Sequence, residues 1–193
     1  MNKEKIFLSK KPYVIASEFQ VKNSFPKNIK FEDKKFFRDV MIQKIPEFHL
    51  IQLDKIYVFY KFLVKNVIIL EDYCSSHPIY WLDKIKIPVK YFFYKKKKID
   101  KAISLVTLFG SNYHHFLVEV IPLIIYSQKI LGDKIPFLIP DYYRKYSFII
   151  SYIDFLKIEV IYFKSREKVM IDKLYAFRNI KVSCFNPEIL RSI

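Results

Sequence analysis

Ile103–Phe109 reads ISLVTLF, Gly110-Ser111 interrupts it, and Asn112–Pro122 continues as NYHHFLVEVIP. The first piece is an apolar, β-branched run ending at a glycine, which predicts a buried strand. After Asn112 the apolar residues change to helical spacing, at Phe116, Leu117, Val120, Leu123 and Ile124. The join is therefore a strand-to-helix turn. Ligands of open α/β sheets bind at such turns, outside the carboxyl ends of the strands. Asn112, His115 and Glu119 follow one another by three and then four residues. That spacing puts them on one helical face, near the positive end of the helix dipole.

Working outward, the helix is predicted from about Asn112 to Leu131, with Gly132 just past its end where a left-handed cap is wanted. Pro136 to Ile139 predicts a short buried strand closed by Pro140-Asp141. Tyr142 to Leu156 has helical periodicity through Tyr146, Ile149, Ile150, Ile153 and Leu156. Glu159–Phe163 and Val169–Phe177 predict two more strands. Strand, helix, strand, helix, strand is the pattern of an α/β, Rossmann-like parallel sheet with flanking helices. Right-handed crossovers would set those helices on both faces of the sheet.

Before this unit, FHLIQL, KIYVFYKFLV and NVIIL predict antiparallel strands, with turns at Asp54-Lys55 and Lys65-Asn66. A loop with Ser75, Ser76, His77 and Pro78 follows, then Trp81 and a strand-like run from Ile85 to Phe93. The chain thus divides into a loosely structured basic leader (1–46), a β-rich region (47–101) and a Rossmann-like half-domain (102–193).

The chain has 193 residues, enough for one core, and its 52% hydrophobic content argues for a folded protein. Phe and Tyr make up nearly all of the 18% aromatics, and Gly occurs twice. This pattern matches the drift of an AT-rich genome, so composition says little about function. The net charge is +15, divided as +6, +5 and +4 over the three regions. A nucleic-acid domain gathers its basic residues on one face or helix, so the even spread argues against nucleic acid as partner. Lys95–Lys98 is the one dense run and predicts a solvated loop. Because it follows Tyr91-Phe92-Phe93-Tyr94, its functional reading is peripheral attraction to an anionic membrane. Cys74 and Cys184 have no metal-ligand spacing and fit free thiols in a reducing compartment. Ile6-Phe7-Leu8 is too short for a signal-peptide core, and Glu119 and Pro122 interrupt the most apolar stretch, Phe116–Tyr126. These features predict a cytoplasmic protein, soluble or peripheral at the inner face of the membrane.

His114 and His115 can be plain hydrogen-bonding residues beside a helix start. Glu119 changes the weighing, because an ionised carboxylate inside Phe116–Ile125 is costly unless paired. His115 lies one turn before it, so a His–Glu pair is available. Such a pair raises the basicity of the imidazole and fixes its tautomer, as a general base requires. Asn112 fits a plain N-cap equally well, and Tyr113 a packing residue. Pro122 would remove a backbone hydrogen bond and bend the axis. With glycines only at 110 and 132, a Gly-rich phosphate loop cannot be built. Asp-x-Asp, zinc spacing and Gly-x-Ser-x-Gly are also missing, so no metal ligands are assigned.

The block from Thr107 to Ile193 resembles the N-terminal half of glycosyltransferase family 61, whose bacterial members are often called capsular polysaccharide biosynthesis proteins. The family pattern Asn-Tyr-x-His, aromatic, Leu, x, acidic, x, aliphatic, Pro stands here as Asn112 to Pro122. PFLIP (136–140), Phe155-Leu156-Lys157-Ile158, Val160-Ile161 and Val169–Tyr175 follow in the family's order. Phe185-Asn186-Pro187-Glu188-Ile189-Leu190-Arg191 is similar to the segment leading into the second half of such enzymes. The departures are Phe116, where Trp is common, and Leu123, where an Arg is often near.

The resemblance implies the first domain of a GT-B transferase with two facing Rossmann-like domains. It implies inverting transfer from a nucleotide-sugar donor to a saccharide hydroxyl, without an essential metal or other cofactor. His115, poised by Glu119, would be catalytic, and Asn112, Tyr113 and His114 would bind the glycan acceptor. The family's donor-binding domain would begin about where Ile193 stands, which implies an N-terminal portion or a separate donor-domain chain as partner. A non-catalytic carbohydrate-binding remnant and a basic nucleic-acid-binding protein are the competing readings.

Overall fold

In the computed structural model the strand that feeds the quoted turn begins earlier than its apolar run. It is β7, Lys95–Ser104, and only its last residues, Ala102, Ile103 and Ser104, are buried. The structure describes residues 12–16, 19–22, 42–45, 48–59, 62–66, 68–70, 86, 89, 92–106 and 110–178. Cys74, the loop 75–78, Trp81, Cys184 and the segment 185–191 lie outside the described residues.

Ten strands are described. β1 (Tyr13–Ala16), β2 (Phe19–Lys22) and β3 (Ile42–Ile45) fall within the predicted leader. β4 (Phe48–Phe59), β5 (Phe62–Lys65) and β6 (Ile68–Ile69) form a meander. β8 (Phe137–Pro140), β9 (Val160–Phe163) and β10 (Glu167–Arg178) follow β7. Eight strands make one mixed sheet in the order β6-β5-β4-β10-β7-β8-β9, with β1 added to β4; β2 and β3 pair separately. β10, β7, β8 and β9 are mutually parallel, whereas β4 is antiparallel to β1, β5 and β10. The protein is mixed α/β. A single sheet takes strands from both sides of residue 101, so the boundary expected there falls inside β7.

Two helices accompany the parallel strands. The first, α1, runs from Tyr113 to Leu131 in three parts. Tyr113–His115 is α, Phe116–Val120 is a π-turn and Ile121–Leu131 is α again. Gly132 ends it with φ +76°, its N–H donating to the Gln128 carbonyl. The run expected as one helix from Tyr142 is divided. Asp141–Lys145 forms a 3-10 turn, and α2 (Ser147–Phe155) starts after Tyr146. α2 closes in a Schellman motif: Ile158 N–H donates to Ile153 O and Lys157 N–H to Asp154 O, with Lys157 at φ +51°.

Both helices lie on the same face, contrary to the two-faced layering expected. Phe116, Val120, Leu123 and Ile124 from α1 and Ile149 from α2 share one cluster with Leu50, Ile103, Phe137, Ile139, Tyr175 and Phe177. The alternating strand residues Ile51, Leu53, Ala102, Leu138, Leu174 and Ala176 face a second cluster. Phe59, Phe62, Leu63, Val169 and Ile171 complete that cluster, and neither α1 nor α2 contributes to it.

A shared irregularity makes this arrangement. Ile51, Leu53, Ile56 and Val58 of β4 all belong to the second cluster, as do Val169, Ile171, Leu174 and Ala176 of β10, and Ala102 with Ile99 packed against it on β7. Strict alternation would send Leu53 and Ile56 to opposite faces. Each strand instead skips one residue, at Lys55, Asp172 and Asp100. These residues lie level across the sheet, because Ile56, Ile171 and Ile99 are in register and so are Asp54, Lys173 and Lys101. Lys55 has φ +55°.

The sequence break at Asp54-Lys55 is thus a crease within β4, not the expected turn. The turn expected at Lys65-Asn66 is present, with Asn66 at φ +48° and Val64 opposite Ile69. Lys95–Lys98 is strand, not loop, because its backbone pairs with Glu167–Met170 of β10, but its side chains are solvated as expected. Within Ile85–Phe93, expected as strand, the described residues Lys86, Val89, Phe92 and Phe93 are helical.

Candidate active site

α1 begins at the carboxyl edge of β7. Asn112 is its N-cap: extended at φ −84° and ψ 133°, it accepts from His114 N–H (3.0 Å) and His115 N–H (3.4 Å) through Oδ1. This satisfies two of the N–H groups that a helix start leaves without partners. The cap fixes where the two histidines leave the backbone. His114 is exposed, and its ring meets that of His115 edge-on at 5.7 Å.

One turn on, His115 Nδ1–H donates to Glu119 Oε1 at 2.7 Å. The Glu119 side chain is 7% exposed and that of His115 is 21% exposed, so the carboxylate lies beneath the imidazole. Burial pushes the Glu119 carboxyl above the usual carboxylate range. The hydrogen bond from His115, then the charges of His115 and His114, pull it part of the way back. The carboxylate therefore holds the Nδ1 proton and leaves Nε2 as the basic nitrogen of the ring.

A π-turn carries Glu119 of this pair through the apolar helix. Pro122 has no N–H to give to the Val118 carbonyl, so the regular ladder cannot pass through it. The chain takes an extra residue instead, with Ile121 N–H donating to Phe116 O, and the α-helix restarts with Pro122 in its first turn. The bend expected at Pro122 is taken up in this way. Phe116 and Val120 remain in the core on either side of Glu119.

Of the five residues expected at the site, Asn112, His114, His115 and Glu119 are linked by these contacts, whereas Tyr113 meets α2, which sequence reading missed. The Tyr113 ring, 54% exposed, meets Phe148 edge-on at 5.2 Å. Phe116 packs on Phe148 at 5.6 Å and on Tyr152 at 6.1 Å. Phe148 and Tyr152 are four residues apart on α2, and that aromatic pair was the available signal. Tyr146 lies 5.9 Å from Phe148, so Tyr113, Phe116 and Tyr146 all gather on the Phe148 ring. Among the described residues no group of three or more His, Cys, Asp or Glu is placed to hold a metal ion. No family model, curated protein or solved structure matches the chain.

Proposed function

We propose that the chain is a glycosyltransferase domain of the inverting, nucleotide-sugar-dependent type, acting in surface or capsular polysaccharide synthesis. The observation that carries the reading is the 2.7 Å His115–Glu119 pair at the carboxyl edge of parallel strands. A partly exposed imidazole backed by a buried carboxylate suits removal of a proton from a hydroxyl. In the step proposed, the acceptor hydroxyl oxygen forms the new bond to the anomeric carbon while its proton passes to His115 Nε2. The bond from that carbon to the donor phosphate breaks on the opposite face, and its electron pair leaves with the nucleotide. Asn112, Tyr113 and His114 line the acceptor side. In the family resembled, the donor is held mostly by a second domain or chain, so only acceptor activation is assigned to the described residues.

The exposed Tyr113 ring beside Phe148 favours a second reading, a glycan-binding surface without catalysis. A panel of nucleotide-sugars, with and without oligosaccharide acceptors, separates the two. Turnover that falls roughly 100- to 10,000-fold in His115→Ala supports the transferase. Oligosaccharide binding that survives in His115→Ala without turnover in either protein supports the second reading. Wild-type turnover in His115→Ala would remove the base from the mechanism.

A further inference from the structure

A helical segment and the strand after it gather apolar and basic side chains on the surface. Lys86, Val89, Phe92 and Phe93 are helical and exposed, Phe92 by 71% and Phe93 by 83%. Their spacing lays them along one helical face. Two residues later β7 opens with Lys95, Lys96, Lys97 and Lys98, all exposed. Alternation sends Lys95 and Lys97 to one face of the sheet and Lys96 and Lys98 to the other. Among the described residues, Asp172 pairs with Lys98 at 2.9 Å, Asp100 lies two residues along β7, Glu167 and Lys168 stand in register with Lys95 and Lys96, and Lys96 is 5.9 Å from the Tyr57 ring centroid.

Lysines on an edge strand can serve only to keep it from pairing with another chain. That account fits part of β7, because β8 joins it only at Ile103 and Ser104. It leaves two adjacent exposed phenylalanines unexplained, since exposed apolar area of that kind marks a contact surface. Aromatic rings that enter the headgroup region, followed at once by lysines that meet anionic lipid, account for both. We propose that Lys86, Val89, Phe92 and Phe93, with Lys95 and Lys97, form a docking surface for an anionic phospholipid membrane. The surface lies at the end of β7 opposite His115 and is independent of the transferase reading.

Flotation of the full chain with vesicles tests this, using equal parts phosphatidylcholine and phosphatidylglycerol against phosphatidylcholine alone. Binding is expected to the mixed vesicles only and to weaken with salt. Phe92→Ser with Phe93→Ser is expected to lower partitioning at least about tenfold. Lys95→Gln with Lys97→Gln, at solvated positions that leave the fold intact, is expected to cost about fivefold per lysine. Equal binding to both vesicle types, no binding, or wild-type partitioning of the lysine variant would overturn the proposal. So would tight binding of a single-stranded RNA that mixed vesicles fail to displace, which would assign the surface to nucleic acid.

Discussion

At the scale of single residues, Glu119 is where stability and chemistry oppose one another. Burial raises its carboxyl above the ordinary range, in spite of the hydrogen bond from His115. Between the unfolded-state value of about 4.3 and the raised native value, the folded chain keeps a proton that the unfolded chain has released. Stability therefore falls as pH rises through that window and is lowest above it. Glu119→Gln removes the titrating group but keeps a hydrogen-bonding side chain of the same shape. The variant is expected to melt higher than the parent at neutral pH and to lose that advantage below the carboxylate range. Thermal melts at acid and neutral pH measure the difference; a gap that does not change with pH would show that Glu119 carries no such cost. In activity, Glu119→Gln is expected to lower turnover less than His115→Ala, because the imidazole would remain.

At the scale of elements, α1 depends on a conflict between Pro122 and the helix ladder. The π-turn resolves it, and Phe116 at its start packs on Phe148 of α2. Pro122→Ala restores a donor to the Val118 carbonyl and permits an unbroken α-helix. The expected outcome is a slightly more stable helix that keeps the i,i+4 pair of His115 and Glu119. The variant should melt higher than the parent while the downfield Nδ1 proton of the pair stays in the NMR spectrum. An unchanged melting temperature would mean that packing of Phe116 and Val120, and not Pro122, sets the turn. The helix ends were legible because capping and termination are local: Asn112, Gly132 and the apolar spacing sufficed. The division of the second helix at Tyr146 was not, since the 3-10 turn before it joins buried Tyr143 to the core.

At the scale of the whole molecule, the crease through Lys55, Asp172 and Asp100 decides which faces meet. It keeps Leu53 with Ile56, and Ile171 with Leu174, on the face opposite the helices. Lys55 holds a positive φ there, which costs a non-glycine residue about 1 kcal/mol. Lys55→Gly is accordingly expected to raise stability by about 1 kcal/mol in urea denaturation, and Lys55→Val to lower it by at least as much. A neutral Lys55→Gly would show that other residues of the crease set the backbone there. Among the described residues no helix is long and apolar enough to cross a membrane.

The sequence by itself determined the elements of the second half of the chain and the pairing of His115 with Glu119. Periodicity placed α1 and the strands β8, β9 and β10. A buried carboxylate one turn from a histidine identified His115 and Glu119, because an i,i+4 pair on a helix is a local relation. Only the tertiary structure decided that β4 lies against β10, that Lys95–Lys98 is strand, that both helices share one face and that Phe148 borders Tyr113. Each of these is a contact between segments distant in the chain. Strand pairing is fixed by partners that satisfy the backbone, and a skipped residue appears only when three strands skip at the same level.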